Sequence, residues 1–228
     1  MFELREEYNE NVSETRKKLS PWRVTLVVIA SVLIVLLGVV ASIVLPIVLH
    51  TNAGSSGQMV SEEFVSTASA TGEDGLTRTL TVTDVAGRPA DLSQITPGQE
   101  LIVSGTGYDP MVGIYVSICK IAEDPTIKPG PCLGGVPEGA TEGEAAGDTA
   151  PMSSAWVTDS WAWRGFATHQ YTDPATGSFE VRLLVPAPTQ QGLDCLTELC
   201  GITTRADHTA VNDRVQDIQL RVAYTEQP

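Results

Sequence analysis

Between Val24 and Leu49 the sequence runs VTLVVIASVLIVLLGVVASIVLPIVL, 26 residues without a charged, amide-bearing or aromatic side chain. No other stretch constrains the chain as much, because it has no polar face to leave in water. As a helix rising ~1.5 Å per residue it would be about 39 Å long, against a hydrocarbon core of roughly 30 Å. Val24 to Leu45 alone gives about 33 Å, so Pro46 is expected to mark the exit. A cleaved signal peptide competes with this reading, with Thr51-Asn52-Ala53 as its small-residue cleavage site. Length argues for an uncleaved anchor, since the apolar region of a signal peptide is much shorter. A buried core helix would need fewer uncharged residues. Gly38, Ala41 and Ser42 form a small-residue strip where a partner helix could approach closely.

Orientation follows from the flanks. Arg16, Lys17, Lys18 and Arg23 precede the span, and no Lys or Arg follows it until Arg78. This asymmetry places residues 1–23 in the cytoplasm as a mixed-charge tail and the remainder outside a plasma membrane crossed once. Trp22 sits where an interfacial ring is expected. Five acidic and five basic residues cancel in the first 23, so the whole net charge of −14 belongs to the rest of the chain. An outer domain that acidic repels phosphate backbones, which disfavours nucleic acid and anionic lipid headgroups as partners.

After the span, residues 50–75 read as a flexible linker. From Thr51 to Asp74 Gly, Ser, Thr and Ala dominate, and Met59, Val60, Phe64 and Val65 are the bulky apolar residues. From 76 to 226 the periodicity becomes two. Leu80 and Val82 alternate with threonines in Leu76 to Val85, and Leu101 and Val103 alternate with polar residues in Glu100 to Gly107. Gly113 to Ile121 is apolar on both sides, as an inner strand would be. In Ser178 to Val185, Phe179, Val181, Leu183 and Val185 face one way and Glu180 and Arg182 the other. The last strand places Ile218, Leu220, Val222 and Tyr224 inward, with Gln219 and Arg221 outward. No stretch beyond the span has a 3.6-residue stripe. The fold class expected is all-β, an antiparallel sandwich preceded by one transmembrane helix.

Four cysteines, Cys119, Cys132, Cys195 and Cys200, all lie beyond the span. An even number outside the cytoplasm favours disulfides, with three connectivities open and local pairing the simplest. Zinc is disfavoured because the spacings C-x12-C and C-x4-C do not supply two tight ligand pairs.

The runs GQELIVSGTGYDPMVGIYVSICK, TDPATGSFEVRLLV and LDCLTELCGITTRADH occur in this order. Together they resemble the neocarzinostatin-type immunoglobulin-like domain: a VxGxG strand, a cysteine-ended strand, a GS-turn strand and a C-x4-C hairpin. The closing run CGITTRADHTAVNDRVQDIQL resembles related domains of actinobacterial surface proteins. The likeness covers Leu76 to Tyr224, and it implies a seven-stranded immunoglobulin-like sandwich with Cys119 paired to Cys132 and Cys195 to Cys200. It carries no ligand residue across.

A long inserted loop at 122–160 departs from that pattern. Ala122 to Ala155 is rich in Gly, Pro and acids, beyond ordinary loop length. It runs into WVTDSWAWRGFATHQY, where Trp156, Trp161, Trp163, Arg164, Phe166 and Tyr171 have the composition of an interface hot spot. Rings of this kind serve equally to close one end of a sandwich. These six residues are the expected partner-binding set.

Catalytic patterns are absent from the sequence. There is no G-x-S-x-G, H-E-x-x-H or P-loop, and the glycines of Val103 to Gly107 read as a turn. Arg205, Asp207 and His208, with Asp213, Arg214 and Asp217 nearby, form a polar group. With no nucleophile placed beside them, they read as a loop-stabilising salt-bridge network, not an acid–base or metal site. Glu142 and Glu144 sit in the long loop, where catalytic geometry is hard to hold.

The expectation is therefore a non-enzymatic, membrane-anchored protein-binding module without cofactor or metal. Its partner would be an integral membrane protein complex. The architecture is similar to small single-span accessory subunits of actinobacterial respiratory supercomplexes. The alternative is haem or small-ligand capture at the cell surface, suggested by a resemblance to surface haem-uptake domains, with His169, Tyr171 and His208 as candidate ligands.

Overall fold

A computed structural model describes residues 20–122, 124, 126–135, 152–190 and 192–225. The tail before residue 20 and the central part of the long loop, with Glu142 and Glu144, lie outside the described residues. The chain falls into two compact units, Met1–Val48 and Leu49–Pro228.

The first unit contains helix α1, Pro21–Val48, 28 residues long and with none of them buried. It starts earlier than the apolar run because Pro21 suits a first helical position, where its missing N–H would be unpaired anyway. The Ser20 carbonyl accepts from Arg23 N at 2.8 Å and Val24 N at 3.2 Å. It also continues past Pro46 to Val48, contrary to the expected exit, because one proline removes a single hydrogen bond from the last turn. Hydroxyls of Thr25, Ser31 and Ser42 donate to carbonyls of Pro21, Val27 and Val39 at 3.0, 2.8 and 2.7 Å. The helix thus satisfies these polar groups internally, as an apolar surrounding demands. Among the described residues it is the one helix long and apolar enough to cross a membrane.

The second unit is mostly β, with antiparallel pairing throughout its named strands. One sheet has the order β1-β2-β3-β6, from Thr67–Thr71, Thr77–Asp84, Glu100–Thr106 and Phe179–Leu184. The other has the order β10-β9-β4-β5, from Gln219–Val222, Cys200–Ala206, Ile114–Lys120 and Ser154–Val157. Short β7 and β8, Thr189–Gln190 and Leu193–Asp194, pair with each other. Period-two alternation sends Leu80, Val82, Leu101, Val103, Val181 and Leu183 of the first sheet into one core with Val116, Ile118, Ile202 and Leu220 of the second. The disulfides join Cys119 to Cys132 and Cys195 to Cys200.

Residues 50–75 are not a free linker through their length. Strand β1 lies inside them, paired to β2 from Thr67↔Thr81 to Thr71↔Thr77. Its pattern escapes a hydrophobicity reading because only Ala68 and Ala70 pack against the core. The other face is a hydroxyl ladder: Thr67–Thr81, Ser69–Thr79 and Thr71–Thr77 at 3.2, 2.7 and 2.8 Å. Before β1, the Gln58 amide accepts from Gln219 N and donates to Gln219 O, both at 2.7 Å. It thereby acts as a one-residue strand partner for edge strand β10, which is why the outward-facing Gln219 is buried.

The loop assigned to 122–160 likewise ends in structure. Ser154–Val157 forms β5 against β4, with Ile114 opposite Val157 and Tyr115 opposite Trp156. Four residues leave too few alternations for a strand pattern to register.

Gly107 closes β3 at φ +80°, where a Cβ would lie 1.9 Å from the Thr77 carbonyl oxygen. Gly107→Ala is expected to destabilise the β unit by at least about 2 kcal/mol through combined strain and collision. Urea unfolding of the full chain in detergent measures this.

Candidate functional site

The loops after β3, β5 and β9 meet at one end of the β unit. β5 turns Ala155 and Val157 to the core and Trp156 to the opposite face. There Trp156 is buried against Trp163 and His208, and its indole N–H donates to Asp207 Oδ2 at 2.9 Å. Asp207 Oδ1 accepts from Thr209 N at 2.8 Å and Thr209 Oγ1 at 2.5 Å, so this buried carboxylate holds three donors. The neighbouring His208 ring stands 5.2 Å from Trp156 and 4.8 Å from Trp163, edge-on to both. Its Nδ1 lies 3.0 Å from Tyr115 Oη. Arg205 reaches over the Tyr115 ring at 5.9 Å, and its Nη1 donates to the Pro129 carbonyl at 2.9 Å.

Beyond β5, a turn over 160–167 is closed by Trp163 N and Arg164 N donating to Ser160 O, and by Phe166 N and Ala167 N donating to Trp163 O. It leaves Trp161, Arg164 and Phe166 exposed and half-buries Trp163. The chain then returns through Tyr171, whose hydroxyl donates to the Val112 carbonyl at 3.1 Å.

The expected partner-binding set therefore divides. Trp156 and Tyr171 are buried and cannot form a contact surface in this fold. Each has an apolar ring for the interior and a polar tip with an internal acceptor. Trp163 braces the turn on His208, and only Trp161, Arg164 and Phe166 of the six are exposed. In the helix, Gly38 and Ser42 are exposed and Ala41 partly so.

The polar group is bonded differently from the expected salt-bridge network. Arg205, Asp207 and His208 bond to a backbone carbonyl, an indole and a phenol. The buried ion pair is Arg214–Asp217 at 2.8 Å, and Asp213 Oδ2 lies 2.8 Å from His50 Nε2. Burial pushes Asp217 up to about 7, outweighing Arg214 and Lys128. Burial and the charges of Arg205 and Arg214 lower Lys128 to about 8. An acid raised in the folded state contributes stability that is complete below its unfolded value and is lost as pH rises through about 7. Melts of the full chain in detergent between about pH 5.5 and 7.5 should show this loss, and Asp217→Asn should remove that component of the slope. An unchanged slope in the variant would refute the assignment.

The candidate haem ligands are engaged or buried. Burial pushes the Tyr171 phenol well above its ordinary range and lowers His169. His169 Nδ1 lies 3.0 Å from Thr168 Oγ1. That hydroxyl accepts from Trp156 N and donates to Trp156 O, so it braces the edge of β5 and is not primed as a nucleophile. Among the described residues no three His, Cys, Asp or Glu side chains are grouped to hold a metal ion. A cavity of about 350 Å³ lies elsewhere, lined by Met59, Val60, Ile121, Leu199, Gln219 and Arg221 among others, and none of the three candidate ligands lines it.

Sequence reasoning missed Tyr115 and Gln58. Tyr115 stood in a strand whose apolar neighbours masked it, and Gln58 stood in a segment read as unstructured. No family model matches the sequence, and no curated protein or solved structure matches it.

Proposed function

We propose that the chain is a membrane-anchored, extracytoplasmic protein-binding module, a non-catalytic accessory subunit of a larger integral membrane complex. The observation that carries this reading is α1: 28 residues, without a charged side chain after Arg23, and none of them buried. Such a helix needs lipid or other helices around it. Gly38 faces open space, and its lack of a side chain would let a partner helix backbone approach closely.

The β unit is read as an immunoglobulin-like sandwich. The reading is supported by two four-stranded antiparallel sheets sharing one core and by disulfides at the end of β4 and the start of β9. The N-terminus is assigned to the cytoplasm and the β unit to the outside, on the basic residues before the span and the two disulfides. A cytochrome bc–oxidase supercomplex is the concrete partner suggested by the likeness of architecture.

Gentle solubilisation of native membranes should recover the chain with integral membrane subunits. Gly38→Leu should reduce that recovery several-fold while leaving the amount in the membrane unchanged. Recovery of the unaltered chain as a free monomer would overturn the reading.

The cavity favours a second reading, capture of a small ligand with an apolar body and a hydrogen-bond donor. Its lining includes Gln219, whose Oε1 is buried without a hydrogen-bond partner. Native mass spectrometry of the full chain tests for a retained non-protein mass that is lost on filling the cavity by Leu199→Trp.

A further inference from the structure

We infer that the cavity beside β10 binds an aliphatic carboxylate with a hydrogen-bond donor on the carbon next to the carboxyl. Arg221 takes the carboxylate and the Gln219 amide oxygen takes the donor. This rests on the reading of the cavity as a ligand site.

Period two in β10 builds the polar part of the lining. Leu220 and Val222 enter the core, so Gln219 and Arg221 stand together on the opposite face of the sheet, their Cα atoms about 7 Å apart. Segment 58–62 also lines the cavity and is pinned at both ends. The Gln58 amide uses both its oxygen and its nitrogen on the Gln219 backbone at 2.7 Å, and Arg221 Nη1 donates to the Glu62 carbonyl at 3.0 Å. Ile121 and Leu199 add apolar lining and are joined by the bond from Ile121 N to Leu199 O at 2.8 Å. All of these residues belong to the β unit. The volume of about 350 Å³ lies at the lower end of the range for small-ligand sites.

Two polar groups of this lining lack the partner their chemistry calls for. Gln219 is 7 % exposed, and its Oε1 is buried without a hydrogen-bond partner among the described residues. Such an oxygen costs stability until a donor reaches it. Arg78, Arg88, Arg182 and Arg214 each pair with a carboxylate, whereas Arg221 has no carboxylate partner among the described residues. Its guanidinium is held by the Glu62 carbonyl and lies over the Phe64 ring, 5.1 Å from the centroid, which leaves N–H groups for a further acceptor. The chain holds 28 acidic residues against 14 basic ones. A guanidinium that lines a cavity in such a chain and meets no carboxylate points to an acid supplied from outside.

The rest of the lining fixes the body of the ligand. Met59, Val60, Ile121 and Leu199 are apolar, and Met59 and Leu199 are 94 % and 51 % exposed, so apolar surface continues to the rim. An aliphatic chain buries that surface. A donor one carbon from the carboxyl reaches Gln219 while the carboxylate meets Arg221, because two hydrogen bonds of about 2.9 Å bridge most of the ~7 Å between the strand positions. Glu62 is the other charged residue of the lining and is exposed, so water and salt screen its repulsion. The C-terminal residue of a protein chain and a free N-acyl amino acid or 2-hydroxy acid share this chemistry.

The test uses the full chain in phosphatidylcholine nanodiscs, labelled at its methionine methyl groups, at about 0.15 M salt. The Met59 methyl signal is followed by nuclear magnetic resonance and assigned by its loss in Met59→Leu. The probes are N-acetyl-leucine, N-acetyl-leucinamide (no carboxylate), 4-methylpentanoate (no donor) and a short peptide ending in leucine. N-acetyl-leucine should shift Met59 saturably and leave Met111 unmoved, with the amide and 4-methylpentanoate weaker by about tenfold or more. Arg221→Gln, its Met111 signal unchanged, should lose the preference for N-acetyl-leucine over the amide. Peptide binding about tenfold tighter than N-acetyl-leucine supports the inference with a protein C-terminus as the source, and equal or weaker binding supports it with a small molecule. N-acetyl-leucine and its amide binding alike would overturn the inference and leave the cavity a ligand site. If no probe moves Met59, the inference is overturned, and the retained mass in native mass spectrometry decides the cavity reading separately.

Discussion

Trp156→Ala should destabilise the β unit by about 5 kcal/mol, a large share of the stability of a domain this size. Trp156 is one of the largest side chains fully enclosed in the chain. Its removal leaves a cavity against Tyr115, Trp163 and His208, whose rings lie 6.0, 6.4 and 5.2 Å away. It also takes one donor from Asp207, which is wholly buried. Trp156→Phe separates the two effects: most of the ring packing stays and the N–H is lost, for an expected cost of about 2 kcal/mol. Urea unfolding of the full chain in detergent, followed by circular dichroism, measures both. A Trp156→Ala cost below about 2 kcal/mol would show that this end of the domain can collapse around the gap.

Arg78→Met should cost about 3–5 kcal/mol, although the replacement is apolar and nearly fills the space. Arg78 is completely buried, and its guanidinium is a junction. Nη2 and Nη1 donate to Asp74 at 2.6 and 3.0 Å, and Nε donates to Gln216 Oε1 at 2.6 Å. Gln216 in turn donates to the Asp109 carbonyl. One side chain therefore ties the β1–β2 turn to the loops after β3 and β9. The hydrogen bonds from Arg78 hold the Asp74 carboxyl below its ordinary range, so Asp74 contributes stability at neutral pH that is lost as pH falls through its folded value. Removing the guanidinium leaves the Asp74 carboxylate with the Leu76 N–H and no cation, and the Gln216 oxygen with the Asp109 N–H at 3.3 Å. Adding Asp74→Asn to Arg78→Met should restore part of the loss, because no unpaired charge then remains. If the double variant is no more stable than Arg78→Met alone, the cost lies in packing instead of charge.

These two positions also show where sequence reading reaches its limit. Leu80, Val82, Phe179, Val181 and Leu183 announce their strands because alternation is the imprint of a surface half in the core. Arg78 stands in the same strand, on the same alternation as Leu80 and Val82, yet it reads as an ordinary surface charge. Nothing nearby in sequence shows that Gln216, 138 residues away, will receive it. Strand β1 was illegible for a related reason, since its outer face is paired by hydroxyls and its inner face is alanine. In the aromatic run, residue types alone could not separate buried Trp156 and Tyr171 from exposed Trp161 and Phe166.

By itself the sequence determined the apolar helix, the all-β character of the remainder and the inward faces of most of its long strands. Each depends on local periodicity or on an unbroken run, which a chain records in order. It also placed every cysteine beyond the span, where local pairing then formed. Only the tertiary structure decided which aromatic rings are interior, that Asp207 serves an indole and not an arginine, and that His50 fastens the start of the β unit to Asp213. Those contacts join residues 51 and 163 positions apart, and the burial that makes them matter exists only once both sheets have closed over one core.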